Sequence, residues 1–362
     1  MSTAENIGAC PTTRRNLEDS TAIPATRLPD SNDQPVSAGR LEKLKQREAE
    51  LSRMLAEVRS EKLSAIRSRP LTIGIIGFGR FGQFIARSFQ KYGNVVVTSR
   101  SDYTDIANGM GVKYISLSDP AAFLDENLDV IVVAVSILSF GDTLKELVPH
   151  LKRDIEKRST KDVKAQGPLI VDVLSVKEHA RQVMLDLLPP ECDILCTHPM
   201  FGPDSGKDSW FGLNFVYEKT RIDNVVLYPN VIETPKGFDK VTTTSHIEGM
   251  DRMERFLSIW EEEGCRMIPM TCHEHDAYAA NSQFVTHLMG RILGTQGLAK
   301  TPIDTKGFES VLKVVDSTTA DSFDLFYGLY KYNQNSMDTI VNLRSAMDEV
   351  VEKLRGMDKI EN

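Results

Sequence analysis

The stretch LTIGIIGFGRFGQFIARSF, residues 71–89, opens on an apolar run and turns at a G-x-G-x-x-G of Gly77, Gly79 and Gly82. It continues with Phe81, Phe84, Ile85 and Phe89 at helical spacing. A strand that feeds a helix through three such glycines is the dinucleotide-binding turn of an α/β fold. Gly77 permits the tight turn, Gly79 lets backbone amides approach a pyrophosphate, and Gly82 lets helix and strand pack closely, with the helix N-terminus facing the phosphates. Gly77, Phe78, Gly79, Arg80, Phe81 and Gly82 are therefore the first candidate cofactor-binding residues. A bland glycine turn is the competing reading of the motif alone, and its strand-turn-helix context argues against it.

The end of the second strand falls 17 to 19 residues past Gly82, at Ser99, Arg100 and Ser101. An NAD enzyme offers a carboxylate there to the ribose 2′-hydroxyl, whereas an arginine flanked by hydroxyls suits a 2′-phosphate. NADP is expected ahead of NAD, with Asp102 as the reservation, since a one-residue shift of the strand end brings it near the ribose. Further apolar bursts come at Val95 to Val97, Val130 to Val135, Leu169 to Val173 and Ile194 to Cys196. Buried parallel strands have this pattern because helices cover both sheet faces. The expected fold class is α/β, a Rossmann-type doubly wound sheet over residues 69–220, followed by an α-helical domain over 249–362. Helical patterns run from Met250 to Glu263, His273 to Leu298, Phe308 to Val315 and Phe323 to Leu354. Residues 221–248, with Pro229, Pro235 and Gly237, read as a loop-rich connection or insertion. Ahead of the sheet, residues 41–68 read as one long charged helix. Leu44, Leu51 and Val58 are spaced by sevens, but Arg47 and Lys62 break the seam, which favours a helix on the body over a coiled coil. Residues 1–40, rich in Ser, Thr, Pro, Asn and Asp, are expected to be disordered.

Composition narrows the function. The chain has 362 residues, 41% hydrophobic and 26% charged, with 51 acidic against 43 basic side chains. That balance lacks the positive field that draws nucleic acid, and no nucleic-acid partner is expected. The longest apolar run, Val130 to Leu138, is far shorter than the roughly 20 residues of a membrane span. Five cysteines at ordinary spacing suggest reduced thiols. Glu5, Glu18, Asp19, Asp30 and Asp33 set against four arginines disfavour a transit peptide, so a cytoplasmic location is expected, with a plastid as the alternative.

Two later strand ends carry polar clusters, Asp172 to Lys177 and Thr197 to Lys207. An imidazole emerging from a buried strand beside a nicotinamide suits removal of a hydroxyl proton, because its ordinary pKa near 6.5 matches neutral pH. His198 is that candidate base, a satisfied turn histidine being the other reading. Ser136, at the end of the fourth strand, lies where such sheets place ligands, or simply caps the strand end. The cluster His273, His275 and Asp276 invites a metal, but His273 and His275 point about 200° apart on a helix and cannot share an ion. No metal is expected, and Asp276 reads as an acid in a first helical turn.

With these residues assembled, the sequence resembles the prephenate and arogenate dehydrogenases, specifically the plant-type arogenate branch. The resembling blocks are GIIGFGRFGQFIA, VDVLSVKEHA, THPMFGPDSGKDSW, EEGCRMIPMTCHEHDAYAANSQFVTHLMGR, TPIDTKGFES and ADSFDLFYGLYKYN. The resemblance implies NADP-dependent oxidative decarboxylation of arogenate to tyrosine, in which His198 is the base on the ring hydroxyl and Ser175 holds that hydroxyl or orients His198. It also implies that Gln283, Thr305 and the neighbouring His287 bind substrate, and that Asp321 favours the ammonium of arogenate over the ketone of prephenate. Asp321 is also well placed to cap the helix that follows. Lys177, Lys207, Arg291 and Lys306 are candidates to hold the substrate carboxylates. A homodimer built through the helical domain follows from the same resemblance. A prephenate dehydrogenase giving 4-hydroxyphenylpyruvate and a non-catalytic NADP-sensing regulator are the alternatives.

Overall fold

The computed structural model describes residues 38–159, 165–222, 233–234, 237–238 and 244–358. Of the segment expected to be disordered, 1–40, residues 1–37 lie outside the described residues and 38–40 already belong to a helix, while most of the connection 221–248 lies outside the described residues. The chain forms two compact units, residues 1–60 and 61–362. The described part of the first belongs to helix α1 (Ala38–Ser68), on which Leu41, Leu44, Leu51, Leu55 and Val58 are exposed.

The second unit alternates strand and helix: β1 (Thr72–Ile76), α2 (Arg80–Phe89), β2 (Asn94–Ser99), α3 (Thr104–Met110), β3 (Lys113–Ser116), α4 (Pro120–Leu124), β4 (Val130–Val133), α5 (Ile137–Arg158), β5 (Leu169–Asp172), α6 (Lys177–Leu187) and β6 (Asp193–Pro199). Then follow β7 (Asn214–Arg221), the short pair β8 (Glu233–Thr234) and β9 (Gly237–Phe238), α7 (Thr244–Glu262) and β10 (Arg266–Pro269). Helices close the chain: α8 (Cys272–Ala279), a π turn (Ala280–Phe284), α9 (Val285–Gly294), α10 (Lys306–Ala320), α11 (Phe323–Tyr332) and α12 (Ser336–Asp358).

The large sheet has the order β10-β7-β6-β5-β4-β1-β2-β3. From β3 to β6 all neighbours are parallel, and β7 then runs antiparallel to β6. This is the Rossmann order, and its direction of progression reverses between β1 and β4, where such sheets bind ligands. Alternation along the strands splits the core in two. Ile73, Ile75, Val130 and Val132 join one cluster with Phe89, Phe256 and Trp260, while Ile76, Ile131 and Val133 join another with Phe140, Leu144, Met184 and Phe284.

Two boundaries differ from the sequence reading. β10 pairs in parallel with β7, and Met253, Phe256, Leu257 and Trp260 of α7 are buried in the sheet core, so the sheet extends to Pro269 instead of handing over to helices at 249. β10 is a four-residue edge strand, half-buried at best, with Arg266 and Pro269 at its ends. Such a strand has no apolar burst to announce it. The helical run from Phe323 to Leu354 breaks at Asn333, whose side-chain oxygen accepts from the Asn335 amide and turns the chain between α11 and α12. No described helix is long and apolar enough to cross a membrane. Cys192, Cys196, Cys265 and Cys272 are buried free thiols.

Candidate active site

The glycine turn has the shape that the motif requires. Gly77 sits at φ +100°, and a Cβ there would lie 2.4 Å from the Ala134 carbonyl oxygen. A Cβ on Gly82 would lie 2.0 Å from the Gly77 oxygen. Gly79, by contrast, has nothing within 4 Å of its Cβ direction and caps α2 without a side-chain hydrogen bond. The open space beside Gly79 lies at the N-terminus of α2, the positive end of the helix dipole, which fits a pyrophosphate. Phe78 is buried edge-on against Tyr103 and Phe81 packs on Phe84. Arg80 holds Asp204 at 2.9 Å across the mouth of the turn.

At the end of β2 the carbonyls of Ser99 and Ser101 accept from the Tyr114 hydroxyl, while Arg100 is exposed and makes no hydrogen bond among the described residues. Asp102 accepts from the Thr104 amide and hydroxyl at 2.9 and 2.6 Å, and these bonds hold its carboxyl below the usual range. Ser136 caps α5 by accepting from the Leu138 amide.

Four neighbouring parallel strands bring the glycine turn, Ser136, Ser175 and His198 to one edge of the sheet. Ser175 is half-buried, three residues past Asp172, and makes no hydrogen bond among the described residues. His198, on β6, is buried with its Nδ1 2.8 Å from Nε2 of His275. Nδ1 of His275 lies 2.8 Å from Oδ1 of Asp276, which is itself fully buried. The Asp276 carboxyl also accepts from the backbone amides of Lys177 and Glu178, at 2.8 and 2.9 Å.

These contacts assign the protons along the chain. A carboxyl that already accepts from two amides also accepts from His275 Nδ1–H, which leaves His275 Nε2 as an acceptor. His198 must then donate through Nδ1, so its Nε2 keeps a lone pair and has no hydrogen-bond partner among the described residues. Burial holds the His198 pKa well below the ordinary imidazole value, and His275 and the Lys177 ammonium push it the same way. His198 is therefore a neutral, oriented base at neutral pH.

Several sequence expectations change here. Asp276 does not serve the first turn of its own helix; it caps the N-terminus of α6 and anchors His275. Lys177 is not available to a substrate carboxylate, because its ammonium is buried against Asp172 and the Thr197 carbonyl. Lys306 pairs with Glu309 on the surface. The cap of α11 is Ser322, which accepts from the Leu325 amide, so Asp321 is free of that duty. Thr305 caps α10 on an exposed turn. Sequence reasoning does not find the partner of His198, because His275 enters it only as a metal ligand; the signal available is the adjacent histidine-aspartate pair on the first helix after the sheet. Among the described residues no cluster of His, Cys, Asp or Glu is arranged to hold a metal.

A continuous rod of α8, π turn and α9 carries the relay at one end and the other candidates along its length. Gln283 lies in the π turn, a helix defect common at functional sites. Gln283 Oε1, His287 Nδ1 and Arg291 Nε, four residues apart, are buried without a partner among the described residues. His287 Nε2 lies 3.9 Å from the Asp321 carboxyl, and burial lowers the His287 pKa against the pull of that carboxylate. Arg291 donates to the Asp321 carbonyl at 2.7 Å and stacks over Phe323 and Phe326.

Residues 85–246 match the family model described as the prephenate dehydrogenase nucleotide-binding domain, and 292–362 match one described as a TYRAAT1-like C-terminal domain. The chain is 42% identical over 291 residues to arogenate dehydrogenase 2, chloroplastic, of Arabidopsis thaliana, covering 80% of this chain and 72% of that protein. The chain belongs to the arogenate and prephenate dehydrogenase family. Arogenate dehydrogenase 1, chloroplastic, of the same plant is 45% identical over 287 residues, which are 79% of this dehydrogenase but 39% of that longer protein. In fold, the dehydrogenase is similar to the crystal structure of prephenate dehydrogenase from A. aeolicus in complex with hydroxyphenyl propionate and NAD+. The TM-score is 0.56 at 15% identity, over 80% of this chain and 93% of that one.

Proposed function

We propose that the protein oxidises arogenate with NADP, with loss of CO2, to give tyrosine. The observation that carries this reading is the chain from Asp276 through His275 to His198 at the ligand-binding edge of a dinucleotide fold. Fixed from behind, His198 Nε2 takes the proton of the ring hydroxyl as the adjacent C–H bond breaks. NADP, held by the glycine turn from Gly77 to Gly82, supplies the hydride acceptor. Ser175, at the next strand end, holds the same hydroxyl and fixes its direction. As the quaternary carboxylate departs as CO2, its bonding pair enters the ring, which becomes aromatic, and His198 can return its proton to the phenolic oxygen. Aromatisation makes the overall step effectively irreversible.

NADP is favoured over NAD because Arg100 is exposed between Ser99 and Ser101, while the nearest carboxylate, Asp102, is occupied by Thr104. The unpartnered atoms of Gln283 and His287 support a polar substrate against that helix, with Asp321 meeting the ammonium. Thr305 keeps a hydroxyl proton for a ligand while its oxygen caps α10. Exposed apolar side chains on α11 and α12, among them Phe323, Met337, Val341 and Leu354, support a second copy of the chain as partner.

The test is absorbance of the reduced cofactor with arogenate and prephenate, each against NADP and NAD. Arogenate with NADP is expected to give the highest kcat/KM. Preference for prephenate would replace the substrate, and NADP binding without turnover of either would replace the enzyme by a regulator.

A further inference from the structure

Lys177 contributes to the site through both its backbone and its side chain. It opens α6, and its amide donates to Asp276 at the far end of the histidine chain. Its side chain is almost completely buried, and the ammonium contacts Asp172 at the end of β5 and the Thr197 carbonyl, 2.5 Å away on β6. That carbonyl belongs to the peptide that leads into His198. The second Asp172 oxygen is buried with no oxygen or nitrogen donor among the described residues, and the Cys196 thiol lies beside the carboxyl. A buried ion pair is a poor stabilising device, since well-packed apolar residues often do as well.

We propose that Lys177 is a positioning residue for the reaction: its amide anchors Asp276, its ammonium pins the peptide that carries His198, and the two attachments together set the distance between base and relay. The inference rests on the assignment of His198 as the base and extends it to the residue that holds both ends of the chain. The ammonium is also a cation that acts on His198. The charged and titratable groups facing His198 are His275 and Asp276 from α8, Lys177 from the start of α6 and, behind it, Asp172 from β5. A cation so placed opposes a second positive charge and keeps His198 in its basic form between turnovers.

Two variants with opposite electrostatic sign test this. The double variant Asp172→Leu/Lys177→Met removes the pair without leaving a buried lone charge. Its kcat is expected to fall about tenfold or more from loss of positioning, with NADP affinity and substrate KM little changed. The pair presents its positive end to His198, so its removal eases protonation of His198 and the acid limb of kcat/KM moves to higher pH. Asp172→Asn keeps the ammonium and removes its compensating anion, and the acid limb moves to lower pH. Both limbs unmoved, with only thermal stability altered, would overturn the proposal and leave the pair as scaffold. If the double variant does not fold, the near-isosteric Asp172→Asn decides by the direction of its shift. A His198→Asn enzyme that still turns over would sink the base assignment itself, a separate failure.

Discussion

Consider Asp276→Asn, which exchanges one buried oxygen for an amide nitrogen. The native carboxyl accepts three hydrogen bonds, from His275 Nδ1 and the amides of Lys177 and Glu178, at 2.8, 2.8 and 2.9 Å. Asparagine brings a single oxygen. Placed at Oδ1 it keeps His275 and Lys177 as neutral partners, each bond weaker by about 1 kcal/mol than its charge-assisted form. Its NH2 then faces the Glu178 amide, and an unsatisfied donor there costs about 1–3 kcal/mol. The sum, roughly 3–5 kcal/mol, is below the stability of a typical domain, about 5–15 kcal/mol, so the variant should fold with a lowered melting temperature. The rate should suffer more. A neutral amide gives no support to the charge that forms on the relay when His198 takes a proton, and a flipped amide inverts the tautomers and removes the lone pair from His198 Nε2. By analogy with serine-protease triads, where the matching substitution costs about 10⁴, kcat should drop on the order of 10²–10⁴. Reduced-cofactor absorbance gives kcat, and NADP titration of tryptophan fluorescence gives affinity, Trp210 of the loop after His198 being stacked on Trp260 with ring centroids 4.8 Å apart. A folded variant with kcat within threefold of wild type would refute the relay.

Asp321→Asn should shift the ratio of arogenate to prephenate kcat/KM by about tenfold towards prephenate, equivalent to about 1.4 kcal/mol; an unchanged ratio removes Asp321 from selectivity. Arg100→Ala should raise KM for NADP about 10- to 100-fold, the loss of a charge-assisted contact of about 1.5–3 kcal/mol, and leave KM for NAD alone. Equal effects on both cofactors would move the 2′-phosphate elsewhere. Burial holds the pKa values of His179, His198 and His287 below the ordinary value. Below about pH 6.5 the unfolded chain therefore binds protons that the folded chain refuses, and stability falls as pH drops, for a fully buried histidine such as His198 by up to about 1.4 kcal/mol per pH unit. Urea midpoints that stay level from pH 7.5 to 5.5 would contradict this.

The sheet was readable because parallel strands buried on both faces leave unbroken apolar bursts, and because Gly77 and Gly82 stand where a Cβ would strike backbone. His198 was readable because it ends one of those strands. His275 was not, since it is 77 residues away and only the packing of α8 on the start of α6 brings it to Nδ1 of His198. The same packing explains Asp276, which caps a helix other than its own, a relation that local sequence does not encode. Lys177 reads as a candidate for a substrate carboxylate because nothing local in the sequence shows that Asp172 and Thr197 enclose it. β10 is hidden for another reason: with only Met267 and Ile268 between Arg266 and Pro269, it is too short to read as a strand until β7 supplies a partner.

If His198 Nε2 accepts the substrate's hydroxyl proton, the loss of that base is read out by kcat of His198→Asn measured alongside its NADP dissociation constant. The expected kcat is lower by about 10²–10⁴, the range of general acid–base catalysis, at unchanged NADP affinity. Turnover within tenfold of wild type in a folded, NADP-binding variant would contradict that role.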